Sequence, residues 1–262
     1  MGFGDALIGT AIAKRARLKH PGKPICVGDG TAIEWVEEIH SGNPYLSKEI
    51  VPNCIWVHSH KGYRPYVDNE FCTAERMFWK KGFKVEPGEL YLSEAEKHKW
   101  SGYSDFVYIE PNIKGWLGPN KDWGFDRWQA VVKALPEIRF VQGPGRKLDG
   151  VEQVSTSSFR DACSLLDHAL LFVGTDGGLH HAAAALAKKA VVVWGGYTHP
   201  RNLGYDTHIN LHFGGEPCGN LKPCSHCKKA MDRITVEMVV KAIKDSLGSL
   251  GTHSHERQAQ AA

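Results

Sequence analysis

Val173-Gly-Thr-Asp-Gly-Gly-Leu-His-His-Ala-Ala-Ala-Ala-Leu186 decides the fold. An uncharged run, Leu170-Leu-Phe-Val173, leads into a Thr-Asp-Gly-Gly turn, and a helix of small residues is expected over Gly178 to Ala187. Ala190-Val-Val-Val-Trp194 follows at once. Apolar runs without alternation belong to strands buried on both faces, as in a parallel sheet covered by helices. Upstream the same rhythm holds. Phe106-Val-Tyr-Ile109 and Ile138-Arg-Phe-Val141 read as strands, with a helix from about Asp126 to Leu135 between them. Ser158 is placed to cap a helix running through Leu166. A last helix spans about Thr235 to Leu247. The fold class is α/β, with a doubly wound parallel sheet.

The N-terminal part repeats the pattern in shorter form. A helix from about Asp5 to Lys19 stops at His20-Pro-Gly22, and Pro24-Ile-Cys-Val27 and Cys54-Ile-Trp-Val57 read as strands flanking a helix over Thr31 to Ile39. Tyr63 to Phe83 carries no assignable period, and Leu90 to Tyr103 reads as a connection. Two unequal lobes result: residues 1–100 and 101–247, with 248–262 expected to be a disordered tail.

Composition excludes several classes. Lys and Arg number 32 against 29 Asp and Glu, a net charge of +3 that is too balanced to imply nucleic-acid or membrane binding. The most apolar stretch, His181 to Trp194, is interrupted by Lys188 and Lys189, which excludes a membrane span. No secretory signal is recognisable, and four of the seven cysteines (Cys26, Cys54, Cys72, Cys163) are scattered, as in reduced proteins. A cytoplasmic location is expected.

Four segments carry chemistry. At the Thr175-Asp176-Gly177-Gly178 turn, the first N–H groups of the following helix are unpaired and suit a phosphate. Asp176 can cap that helix or hold a ligand hydroxyl, and His181 faces the same crevice. At the opening Gly2-Phe-Gly-Asp5, the carboxylate serves either as a helix cap or as a base at the mouth of the N-terminal lobe. In Lys121-Asp-Trp-Gly-Phe-Asp-Arg-Trp128, the aromatics staple a helix to the sheet, while Lys121, or less directly Lys114, can neutralise a phosphate. Cys218-x5-Cys224-x2-Cys227 has half the spacing of a structural zinc site, which His226, His212 or another histidine would complete. Free thiols under the last helix are the alternative.

In this order the segments resemble glycosyltransferase family 9, the ADP-heptose:lipopolysaccharide heptosyltransferase family. Asp176, Gly178, His181 and Ala183 to Leu186 match its donor motif, Gly4-Asp5 its Gly-Asp loop, and Lys121-Asp-Trp123 its Lys-x-Trp-Pro segment, with Gly124 where proline is usual. The resemblance implies two facing Rossmann-like lobes, the GT-B arrangement, with a reduced N-terminal lobe, since members usually carry a strand before the Gly-Asp loop. It implies inverting transfer of a sugar from a nucleotide diphosphate to an acceptor hydroxyl, on a saccharide or glycolipid. Asp5 would be the base and Lys121 the diphosphate partner. Thr175, Asp176, Gly177, Gly178 and His181 would bind the donor, and no metal would take part in catalysis. The other readings are a nucleotide-sugar-binding protein without turnover, and the same chemistry on another acceptor such as nucleic acid. A nicotinamide-dependent oxidoreductase is disfavoured, because no strand is followed by Gly-x-Gly-x-x-Gly and a spaced acidic residue.

Overall fold

The computed structural model of the chain describes residues 1–113 and 118–259, with side chains through residue 248. Its elements begin with α1 (Phe3–Lys19), β1 (Ile25–Gly28), α2 (Glu37–His40), β2 (Ile55–His58) and α3 (Glu94–Lys99). There follow β3 (Val107–Glu110), α4 (Phe125–Ala134), β4 (Phe140–Gln142), β5 (Glu152–Gln153), α5 (Phe159–Asp167), β6 (Leu171–Thr175) and α6 (Gly178–Ala185). The chain continues through β7 (Ala190–Trp194), α7 (Pro200–Leu203), β8 (Ile209–His212), α8 (Ser225–Asp232) and α9 (Val236–Ala259).

β3 to β8 form one parallel sheet in the order β5-β4-β3-β6-β7-β8. The chain thus winds outward from β3 in one direction, returns, and winds outward from β6 in the other. In such a sheet ligands bind beyond the carboxyl ends of the strands where the order reverses, here between β3 and β6. Strand alternation divides the core into two layers. Val107, Ile109, Val191 and Val193 point to one face, against Trp123, Trp128, Val131, Val239 and Ile243. Tyr108, Phe172, Val192 and Trp194 point to the other, against Leu165, Leu166, Ala182 and Ala183.

That second layer also takes in Leu7 and Ile8 of α1, together with Tyr66 and Val67. Residues Ala6 to Ala11 of α1 are all buried, because the helix is sandwiched between α6 and the two-stranded parallel sheet of β1 and β2. The two parts therefore share one apolar layer.

The expected helix over Thr31 to Ile39 is not formed. Asp29 Oδ1 accepts the N–H groups of Thr31 (2.8 Å) and Ala32 (2.6 Å), and Glu34 N returns to Val27 O at 2.9 Å. The backbone thus folds back on β1, with Gly28 bridged to Ile33, and its N–H groups are spent there instead of in a helical ladder, which leaves only the short α2. The expected connection over Leu90 to Tyr103 contains α3, capped reciprocally by Ser93 and Glu96. The last helix does not end at Leu247 but continues to Ala259, so 248–259 of the expected disordered tail is helical. No proline interrupts that stretch. Residues 260–262 lie outside the described residues.

Candidate active site

β6 delivers Thr175 and Asp176 to the switch point, because its ladder to β7 runs to the pair Thr175–Val193 and to β3 as far as Glu110–Gly174. Asp176 is buried and does not cap α6. Its Oδ2 accepts Lys121 Nζ at 2.6 Å and Thr198 Oγ1 at 2.9 Å. Burial works against its charge, but the Lys121 ammonium and the His181 ring beside it hold the carboxyl below its ordinary range. Lys121 reaches this point from the loop before α4, and lies over the Tyr197 ring at 5.3 Å.

His181 sits on the first turn of α6, with its Nδ1 2.7 Å from Tyr205 Oη and its Nε2 4.0 Å from Asp176 Oδ1. Burial depresses its pKa to about 4, outweighing the nearby carboxylates of Asp176 and Asp5, so at neutral pH it is an uncharged imidazole. Its neighbour His180 is fully enclosed by Trp194, Tyr205 and His208, with neither ring nitrogen hydrogen-bonded. The two glycines of the turn differ. A Cβ at Gly178 would press on the Phe159 ring at 3.0 Å, so this glycine makes room for protein, whereas one at Gly177 would make only an ordinary contact with Thr175 O at 3.8 Å.

Asp5 comes from the other direction. It stands in the first turn of α1, where its Oδ2 accepts Gly2 N–H at 3.2 Å, so the capping role is real. The same carboxylate also accepts Arg64 Nε at 3.2 Å and the Tyr66 hydroxyl. The start of α1 abuts the start of α6: a Cβ at Gly4 would lie 2.8 Å from His181 Cδ2, and Phe3 stacks on Phe159 at 4.3 Å. Asp5, Lys121, Asp176 and His181 thus converge from three separate segments, the last two from the β6–α6 turn. Arg64, Tyr66, Tyr197, Thr198 and Tyr205 complete the site and were not legible as site residues. Arg64 and Tyr66 lie in the stretch without a period. Tyr197 and Thr198 follow the Gly195-Gly196 strand end, which was the one available signal.

The aromatics of the Lys121 segment act as staples: Trp123 and Trp128 are buried edge to face at 4.5 Å, and Trp123 Nε1 donates to Ile234 O at 2.9 Å. Gly124 has φ 102°, a value proline cannot adopt, which explains glycine at this place. Lys114 lies outside the described residues. Among those described, two groups can hold a metal: Cys218, Cys224 and Cys227, and Asp176, His180 and His181. In the second, the Lys121 ammonium already neutralises the carboxylate. His212 packs tilted against His199 and is not part of the cysteine group.

The sequence model of glycosyltransferase family 9 (heptosyltransferase) matches residues 42–234, well over half of the chain. No curated protein matches. Among solved structures, the glycosyl transferase family 9 protein of Veillonella parvula DSM 2008 is 13% identical with a TM-score of 0.67, over 95% of each chain. The ADP-heptose lps heptosyltransferase II of E. coli is 14% identical with a TM-score of 0.64, over 95% of this chain and 97% of that one. The chain spans only 44% of the length of the E. coli heptosyltransferase WaaC with ADP-2-deoxy-2-fluoro heptose, matching over 55% of its own length at 18% identity and a TM-score of 0.43. The first two share the α/β GT-B fold with this chain. No helix among the described residues is long and apolar enough to cross a membrane.

Proposed function

We propose that this chain, which belongs to glycosyltransferase family 9, moves a sugar with inversion from a nucleoside diphosphate to an acceptor hydroxyl. Glycosyl transfer of the heptosyltransferase kind follows from the family. The donor, the stereochemistry and the residue roles are our reading. One observation carries it: the first turn of α1, bearing Asp5, abuts the first turn of α6, bearing His181, beside the Lys121–Asp176 pair.

In this scheme Asp5 takes the proton of the acceptor hydroxyl as its oxygen attacks the anomeric carbon. The bond from that carbon to the diphosphate oxygen breaks, and its electron pair leaves with the diphosphate. Lys121 and the N–H groups at Gly177 meet the charge that develops. Asp176, Thr175 and His181 orient the donor, with neutral His181 acting as a hydrogen-bonding group rather than a charge. Protein cations supply the countercharge, so no metal is required for the chemical step. The E. coli relative named for ADP-heptose makes an ADP-sugar the first donor to try. A saccharide or glycolipid met at the cytoplasmic face is the acceptor class that fits.

Asp5→Ala tests the reading. Transfer should fall about 10²–10⁴-fold, the range of a lost general base, while the donor still binds, as read by calorimetry. Loss of donor binding in parallel with transfer would remove Asp5 from the role of base. Donor binding without turnover in the unmodified chain would instead make it a nucleotide-sugar-binding protein.

A further inference from the structure

The loop before α8 and the start of that helix bring three thiols together. Cys218 Sγ lies 3.7 Å from Cys224 Sγ and 3.1 Å from Cys227 Sγ, and all three sulfurs fall within 4.8 Å of one another. Three ligands about 2.3 Å from a tetrahedral zinc ion stand roughly 3.8 Å apart, so little movement is needed to seat one. The surroundings suit thiolates. Cys224 stands at the N-cap position of α8 and Cys227 lies on its first turn, at the positive end of the helix. Asn220 N–H points at Cys218 Sγ at 3.4 Å. The His226 side chain adjoins Cys218 and offers an imidazole, standing outside the group that the three sulfurs form within 4.8 Å of one another.

What this loop holds is specific. Asn120, the neighbour of Lys121, donates to Asn220 O (2.6 Å) and Lys222 O (2.8 Å), and its own carbonyl oxygen Oδ1 accepts Cys224 N–H at 3.0 Å. Cys218 N–H binds Gly196 O at 2.8 Å, and Gly219 N–H binds Tyr197 O at 3.2 Å. The segment preceding Phe78 joins from the N-terminal part: Arg76 Nε donates to Cys218 O at 2.6 Å, and Met77 N–H to Gly219 O at 2.8 Å. Three parts of the chain meet on one loop, which the thiol cluster fastens internally.

We propose that Cys218, Cys224, Cys227 and His226 bind one structural zinc ion, which fixes this loop and through Asn120 and Tyr197 positions Lys121. The metal site stands on its own geometry; its bearing on Lys121 rests on the donor-binding reading above.

The test uses the untagged full chain, purified from cells supplied with both zinc and iron and analysed by elemental mass spectrometry. The expected result is about one zinc per chain, absent in Cys224→Ser and Cys227→Ser and retained in Cys54→Ser. His226→Ala should lose zinc to a chelator sooner than the unmodified chain; an unchanged rate would overturn the fourth ligand. Replacement by cobalt should give the visible bands of tetrahedral thiolate coordination. Metal-free protein with three titratable thiols would overturn the site, and stoichiometric iron would overturn the choice of zinc. ADP affinity should weaken about tenfold in Cys224→Ser and likewise in Lys121→Met. Unchanged affinity would remove the positioning role. Zinc-loaded protein that binds no nucleotide would count against the donor reading and leave the metal site intact.

Discussion

On the donor side of the site, Asp176 and His181 hang from the end of β6 and the first turn of α6, where sheet ladders and helix geometry fix the backbone. On the acceptor side, Asp5 also starts a helix, but Arg64 and Tyr66, which hold its carboxylate, come from a stretch whose only regular element is a single 3-10 turn at Asn69–Phe71. The first side is specified by main chain, the second in larger part by long-range side-chain bonds. Damage to the donor side should therefore reach stability as well as chemistry, and damage to the acceptor side chiefly chemistry.

The sharpest way to break that contrast is to remove one cation from each side. Lys121→Met leaves the Asp176 carboxylate buried with Thr198 as its remaining hydrogen-bond partner. Orphaning a buried charge costs roughly 3–5 kcal/mol, so the urea midpoint should drop strongly, and transfer should fall about 10²–10³-fold with the lost countercharge. Arg64 is about one-third exposed (35%), and its pair with Asp5 is partly in water. Arg64→Met should cost less than about 1 kcal/mol of stability, as for exposed pairs. Equal losses in the two variants would mean that both sides are equally built into the fold.

The same difference explains what was legible in the sequence. The Val173–Leu186 segment combined an unbroken apolar strand with a small-residue helix, so strand, turn and helix could be placed together, along with Asp176 and His181. Lys121 was found because buried Trp123 and Trp128 mark its loop. Arg64 and Tyr66 left no trace: their partner Asp5 is 59 and 61 residues away, and no local period connects them. The helix misread at Thr31 failed for a related reason, since Asp29 closes a turn through its side chain, which an apolar pattern does not reveal.

A second measurement sharpens the donor side. Glu110 ends β3 at the switch point, where its Oε1 accepts Asn112 N–H at 2.8 Å. Burial raises its pKa from 4.5 to about 7 against that hydrogen bond. Below pH 4.5 both folded and unfolded chains carry the proton, and the group has no effect on stability. Above it the unfolded chain releases the proton while the folded one retains it, so stability falls until about pH 7 and then levels off. The full interval corresponds to roughly 3 kcal/mol. His181 acts in the opposite sense, since its depressed pKa makes stability rise as pH climbs from about 4 towards 6.5. The difference between the unmodified chain and Glu110→Gln isolates the carboxyl. Urea midpoints at pH 5 and pH 8 should show the variant gaining on the unmodified chain at the higher pH, and a pH-independent difference would place Glu110 in contact with water.

The smallest expected effect probes the acceptor side where it depends on a single hydrogen bond. Tyr66 is packed among Trp79 and Phe83, and its hydroxyl donates a hydrogen bond to Asp5 Oδ1. Tyr66→Phe keeps the ring in that packing and removes only the bond. Asp5 retains Arg64 and the Gly2 N–H, so the carboxylate stays in place but with one rotational restraint fewer. Transfer should slow about tenfold, equivalent to about 1.4 kcal/mol at the barrier, with the decrease in kcat and the donor KM unchanged. A purely structural tyrosine would lower the urea midpoint and leave kcat alone. A rise in donor KM would mean that Tyr66 serves the donor side, and the division of labour between the two halves would not hold.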